Sequence, residues 1–185
     1  MRYFPWFLSG LPLTLGLLLL WALPAVGQSD VAQAKAWIEA GKHLDRIEKD
    51  TWRELLTEDE FDILWEKGTE RAFTGELLDN KRDGVYVTVG CRIPVFDSRH
   101  KYKSGTGWPS FWDVLDKDNI RLEDDYTWYG VRRVEVVSSC GEHLGHVFED
   151  GPDPTGLRYC INSLALDFVP REEWEAQQQM GKKGP

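Results

Sequence analysis

The sequence predicts a mainly β fold of antiparallel strands led in by short helices, and two features predict it. After Lys81 the apolar spacing changes from helical to alternating, with Val85, Val87 and Val89 on one face of "GVYVTVGC". The strand-like runs "WYGVRRVEVVSSC" and "LRYCINSLALDFV" follow without intervening helical patterns, and the turn-forming segments "DNKRDG", "SGTGWPS" and "EDGPDPTG" punctuate the series. Successive strands without crossover helices imply antiparallel pairing.

Taken in order, residues 1–27 begin with one arginine, run through an apolar block and end on Ala25, Val26 and Gly27, a small-x-small pattern. This is the layout of a cleaved secretory signal. The competing reading is a retained membrane anchor over Phe4 to Val26, against which Pro5, Pro12, Pro24 and the cleavage pattern weigh. Either way the folded part is expected to be exported, most naturally to a periplasm. Residues 28–50 form a helical lead-in with an imperfect stripe of Val31, Ala34, Ala36, Trp37 and Ile38. In "TEDEFDILWEKG", Thr57 and Glu60 have the form of a capping box, Phe61, Leu64 and Trp65 make the buried face, and Gly68 stands where the helix should stop. Residues 51–170 make the main domain. Residues 171–185 are polar and glutamine-rich and are expected to be a mobile tail.

With 185 residues, 42% hydrophobic and 29% charged, the chain suits one globular domain with extensions. Its formal charge of −9 becomes −10 once residues 1–27, which hold one arginine and no acid, are removed. Such a balance disfavours nucleic acid as a partner, because neutralising phosphates needs a basic surface. Three cysteines in an exported chain allow one disulfide and leave one thiol over.

The chemistry-bearing residues gather late in the chain. In a strand, Arg158, Cys160 and Asn162 share one face, and a guanidinium beside a thiol favours the nucleophilic thiolate. The alternative is that Cys160 is a small buried hydrophobe. "SSCGEHLGHVFEDGP" brings Cys140, His143 and His146 within seven residues. With Cys91 they make a possible set of two sulfurs and two nitrogens for zinc, although no Cys-x-x-Cys pair supports it. The histidines read equally well as proton donors or orienting groups. Phe111 and Trp112 of "SGTGWPSFW" read as core aromatics, whereas Trp108, on the glycine-bounded turn, can offer a ring face to a small sulfur-bearing group.

Together "KGTERAFTGELLDNKRDGVYV", "SGTGWPSFW" and "HLGHVFEDGPDPTGLRYCINS" resemble the B-type methionine-R-sulfoxide reductases, from about Trp52 to Pro170. The resemblance implies two antiparallel sheets, reduction of the R epimer of free or protein-bound methionine sulfoxide, and recycling by a thioredoxin-like reductant. It makes Cys160 the catalytic cysteine, leaving a sulfenic acid there. His143, His146, Arg158 and Asn162 become site residues, and Trp108 receives the substrate methyl. Many relatives hold structural zinc with two Cys-x-x-Cys pairs; here these read "TVGC" and "VSSC", so the metal is expected to be absent and no cofactor is implied. The surviving Cys91 and Cys140 occupy positions that face one metal in such relatives, which implies that they lie close and join as a disulfide. Thr106 stands where relatives often place a resolving cysteine, so the sulfenic acid is expected to be reduced directly by an external thiol. Two rivals are a zinc-binding module on Cys91, Cys140, His143 and His146, and a binder of oxidised methionine that retains the fold without turnover.

Overall fold

The computed structural model describes residues 27–126 and 129–181. The signal or anchor expected over residues 1–27 lies, except for Gly27, outside them. Among the described residues, no helix is long and apolar enough to cross a membrane.

Three helices lead in: α1 (Gln28–Ala40), α2 (Lys49–Leu55) and α3 (Glu58–Glu66). The capping box at α3 forms as its sequence dictates, with Thr57 accepting from the Glu60 amide and the Glu60 carboxylate accepting from the Thr57 amide at 2.8 Å. Its stop differs by one residue. Lys67, not Gly68, takes the left-handed C-cap at φ 60°, while at Gly68 a Cβ would displace the Asp62 carboxylate, whose oxygen lies 2.2 Å from its position.

Nine strands follow: β1 (Gly84–Thr88), β2 (Pro94–Asp97), β3 (Lys101–Tyr102), β4 (Ser110–Phe111), β5 (Ile120–Asp125), β6 (Arg133–Ser138), β7 (His143–Phe148), β8 (Arg158–Ile161) and β9 (Leu166–Pro170). They build two antiparallel sheets, one ordered β2-β1-β9 and the other β3-β4-β8-β7-β6-β5. The expected continuous strand "LRYCINSLALDFV" is split by a 3₁₀ turn at Ser163–Ala165, and its halves join different sheets. The chain steps between sheets immediately after Asn162.

The sheets enclose an aromatic core in which Phe96 stacks on Phe111 at 4.4 Å and Tyr86 meets Phe111 edge-on at 5.0 Å, with Ile63 and Leu64 of α3 closing one side. Each such aromatic side chain contributes about 1.5–3 kcal/mol by leaving water. Val85 and Val87 share a face with Val169, but Val89 lies beyond the end of β1 and packs into the main core.

The polar tail is a helix where it is described. α4 (Arg171–Gly181) lays Trp174 against Val85, Val87 and Val169. Over residues 171–181 the expectation of a mobile tail is thereby corrected: Trp174 and the bonds from Arg171 to Asp83 and Asp97 dock an otherwise polar helix.

Cys91 and Cys140 are bonded to each other with Cα atoms 6.7 Å apart, which ties the β1–β2 turn to the β6–β7 turn. Trp52, stacked on Trp65 at 5.3 Å, packs in the cluster that covers this bond.

Candidate active site

β8 alternates as its sequence dictates, with Tyr159 and Ile161 buried and Arg158 and Cys160 partly buried on the other face. Cys160 is the one free cysteine of the chain. It pairs with Ser110 of β4 on one side and His146 of β7 on the other. A cleft of about 120 Å³ opens over it, lined by Thr69, Trp108, Arg133, His146, Phe148 and Asn162 among others.

The two histidines are three residues apart, which in a regular strand puts them on opposite faces. The β6–β7 register shifts between Val136 and Val137, so that Gly145 and His143 face consecutive residues and Leu144 is the extra residue of a bulge. The bulge returns both imidazoles to one side, with ring centroids 5.5 Å apart. Gly145 is needed here because a Cβ would lie 2.2 Å from the Cys160 carbonyl oxygen.

Each imidazole is held by a carboxylate. His143 donates through Nδ1 to Glu135 at 2.6 Å, and Glu135 also accepts from Lys67 at 2.7 Å. His146 donates through Nε2 to Asp125 at 2.8 Å, and Arg133 donates to the same oxygen at 2.7 Å. An ionised carboxylate only accepts, so these bonds fix the tautomers and leave a lone pair on the opposite nitrogen of each ring. Burial pulls both imidazoles below their ordinary pKa, more strongly than the carboxylates raise them. For Glu135 the balance is reversed. Burial alone would raise it, but the bonds from Lys67 and His143 hold it below the usual carboxylate range.

Arg158 forks onto Asp150 with two bonds of 2.8 Å and lies 4.4 Å over the Phe148 ring. The guanidinium favours the Cys160 thiolate, as the strand alternation suggests, but it does not act alone. Burial pushes the thiol up, outweighing the lowering by Thr106, whose hydroxyl is 3.7 Å from the sulfur, and by the guanidinium.

Asn162 and Trp108 are positioned by a residue that the sequence reading passed over. The Glu70 carboxylate accepts from the amides of Ser163 at 2.7 Å and Leu164 at 3.0 Å; its backbone N–H donates to Asn162 Oδ1 at 3.1 Å, and its carbonyl accepts from the Trp108 indole at 3.2 Å. Asn162 also donates to the Leu144 carbonyl at 3.1 Å. Phe148, which shares the lining with Trp108, was likewise not singled out, nor were Asp125 and Glu135. Glu135 carried a signal, since an acid between two valines in a strand demands a partner once that strand is covered.

The zinc arrangement does not assemble. Among the described residues, Cys91 and Cys140 gather only Glu142 as a further donor, and the histidines are engaged by Glu135 and Asp125. Disulfide sulfurs are not thiolates, and one carboxylate does not make a four-ligand site.

A SelR domain matches residues 56–170. The chain is 52% identical over 135 residues, covering 72% of it and 94% of the relative, to a peptide methionine sulfoxide reductase MsrB of Methanosarcina barkeri. Proteins of the same description from Pseudomonas paraeruginosa and Alteromonas mediterranea are 52% identical over 132 residues and 50% over 137. These alignments cover 70% and 74% of this chain and 99% and 96% of the relatives.

Proposed function

The chain belongs to the SelR-domain family of peptide methionine sulfoxide reductases, and on that premise we propose that it reduces the R epimer of methionine sulfoxide, free or within polypeptides, at Cys160. The observation that carries this reading is the one free thiol, partly buried beneath a cleft that also presents Trp108, His146 and Asn162. The substrate methyl packs between Trp108 and Phe148, and the sulfoxide group faces Cys160.

The Cys160 proton passes by way of His146 to the sulfoxide oxygen as the sulfur attacks. His146 is favoured over His143 for this step because it lines the cleft and stands across the ladder from Cys160. The S–O bond of the substrate breaks, oxygen and proton end on Cys160 as a sulfenic acid, and the electron pair stays on the methionine sulfur. The methionine sulfoxide is reduced by two electrons to methionine, and the cysteine is oxidised by two. An external dithiol of thioredoxin type then returns Cys160 to the thiol, releasing water and its own disulfide. Thr106, beside the sulfur, cannot resolve it as a cysteine would.

The reading requires no metal. Repair of oxidised exported proteins is the role we attach to it, in a periplasm or on an uncleaved anchor; a disulfide at Cys91 and Cys140 suits an oxidising compartment.

The test is single turnover of separated R and S methionine sulfoxide by reduced protein, beside Cys160→Ser. Consumption of the R epimer alone, with one methionine formed per protein and none in the variant, supports the reading. Equal loss of both epimers, or turnover by Cys160→Ser, removes it.

A further inference from the structure

The cleft over Cys160 shares Trp108 with a second, larger recess of about 560 Å³. Its charge is opposite to that of the whole molecule. Lys81, Arg82, Arg99, Lys101 and Lys103 line it, against Asp79 and Asp83, in a chain of formal charge −9. Asp83 is already bonded to Ser98 and Arg171, so it offers little negative charge to a ligand. Lys81, Arg99 and Lys103 are exposed and, among the described residues, none forms an ion pair.

Phe73 lines the recess together with Trp108. It is 69% exposed with φ 68°, and its amide donates to the Gly107 carbonyl at 2.8 Å. A bulky residue in left-handed backbone with its ring in water is disfavoured twice, and such costs concentrate at ligand-contacting positions. The small cleft suits one side chain. The recess has room for several residues of a chain running on from it.

We propose that this recess receives the polypeptide flanking an oxidised methionine and selects segments with acidic side chains near the sulfoxide; the proposal rests on the reductase reading above. Phe73 covers apolar atoms of the bound segment, while Lys81, Arg99 and Lys103 meet its carboxylates. Without this cationic strip a net-negative enzyme repels such substrates.

The experiment measures binding separately from turnover. Labelled peptides with a central methionine-R-sulfoxide flanked by Glu, Gln or Lys are titrated by fluorescence anisotropy against the Cys160→Ser protein. The same titration is made with Lys81→Glu, Arg99→Glu and Lys103→Glu combined in that background, with circular dichroism checking the fold. The Glu-flanked peptide should bind about five- to tenfold more tightly than the Gln-flanked one. The preference should fade in about 0.5 M salt and reverse in favour of Lys in the triple variant. Equal affinities for the three peptides, or a preference that the triple variant keeps, overturns the proposal. So does equal peptide binding combined with a raised KM for the reductant in the triple variant of the active enzyme, which would assign the recess to the reductant. A reversible charge preference in a protein that turns over no sulfoxide leaves the recess assignment standing and defeats the reductase reading.

Discussion

Cys160 and His146 face each other directly across the β8–β7 ladder, and burial moves them in opposite directions, the thiol up and the imidazole down. Burial thus favours the uncharged form of each group, with the His146 ring keeping its Nε2 proton toward Asp125. Replacing His146 by Gln should slow single turnover about 10²–10⁴-fold while leaving the thermal midpoint near that of the parent. An undiminished rate would exclude His146 as the proton carrier.

Asp125 acts on the reaction through His146. Its carboxylate favours the charged imidazole, so Asp125→Asn should lower the His146 pKa further and move the acid limb of the single-turnover profile to lower pH. The readout is the position of that limb. A reduced rate with the limb unmoved would make Asp125 a purely structural residue.

Arg158 and Asp150 tune the thiol with opposite signs, the guanidinium lowering its pKa and the carboxylate raising it. At fixed pH near 8, Arg158→Met should slow alkylation of Cys160 by iodoacetamide, and Asp150→Asn should accelerate it, by about tenfold for each unit of pKa displacement. Alkylation at one rate in all three proteins would show that the pair does not set thiol reactivity.

The legible parts of the site were those encoded within a single strand or turn. Alternation placed Arg158 and Cys160 on one face of β8, and the capping box at Thr57 and Glu60 was readable because both partners lie within four residues. The bulge at Leu144 was not readable, since a register shift depends on the partner strand. Glu70 escaped because its partners lie more than ninety residues away, at Asn162, Ser163 and Leu164. The counterweights to Arg158 were not readable either, because local sequence shows the guanidinium beside Cys160 but neither the burial of the sulfur nor the fork of Arg158 onto Asp150. The end of the chain was misread because Trp174 finds its valine platform only after β1 and β9 pair.

The Cys91–Cys140 bond spans a sequence separation of 49 and packs in the Trp52 cluster, and neither cysteine lines the cleft over Cys160. The double variant Cys91→Ser, Cys140→Ser should lose about 2–4 kcal/mol of stability in urea unfolding, yet keep its single-turnover rate with methionine-R-sulfoxide. Non-reducing peptide mapping of the parent should return one linked pair and one alkylatable thiol. A turnover defect as large as that of Cys160→Ser would give the pair a part in the reaction.

Arg171 fastens the start of α4 to the first sheet, donating to Asp97 at 2.7 Å and to Asp83 at 3.0 Å. Burial alone would raise the Asp97 carboxyl, but the bonds from Arg171 and the Arg99 amide hold it below its ordinary range. The folded-state pKa is thus lower than the unfolded one. The contribution to stability is complete above the ordinary carboxyl range and is lost as pH falls through the folded value. Acidification below about pH 4 should therefore lower the hydrogen-exchange protection of residues 171–181 ahead of the central strands. Arg171→Leu should cost about 1–3 kcal/mol of that local protection at neutral pH and flatten its response to acid, because the charged partner is gone. Protection that falls with acid equally in parent and variant would mean that Trp174 on Val85, Val87 and Val169 holds the helix without help from the ion pair.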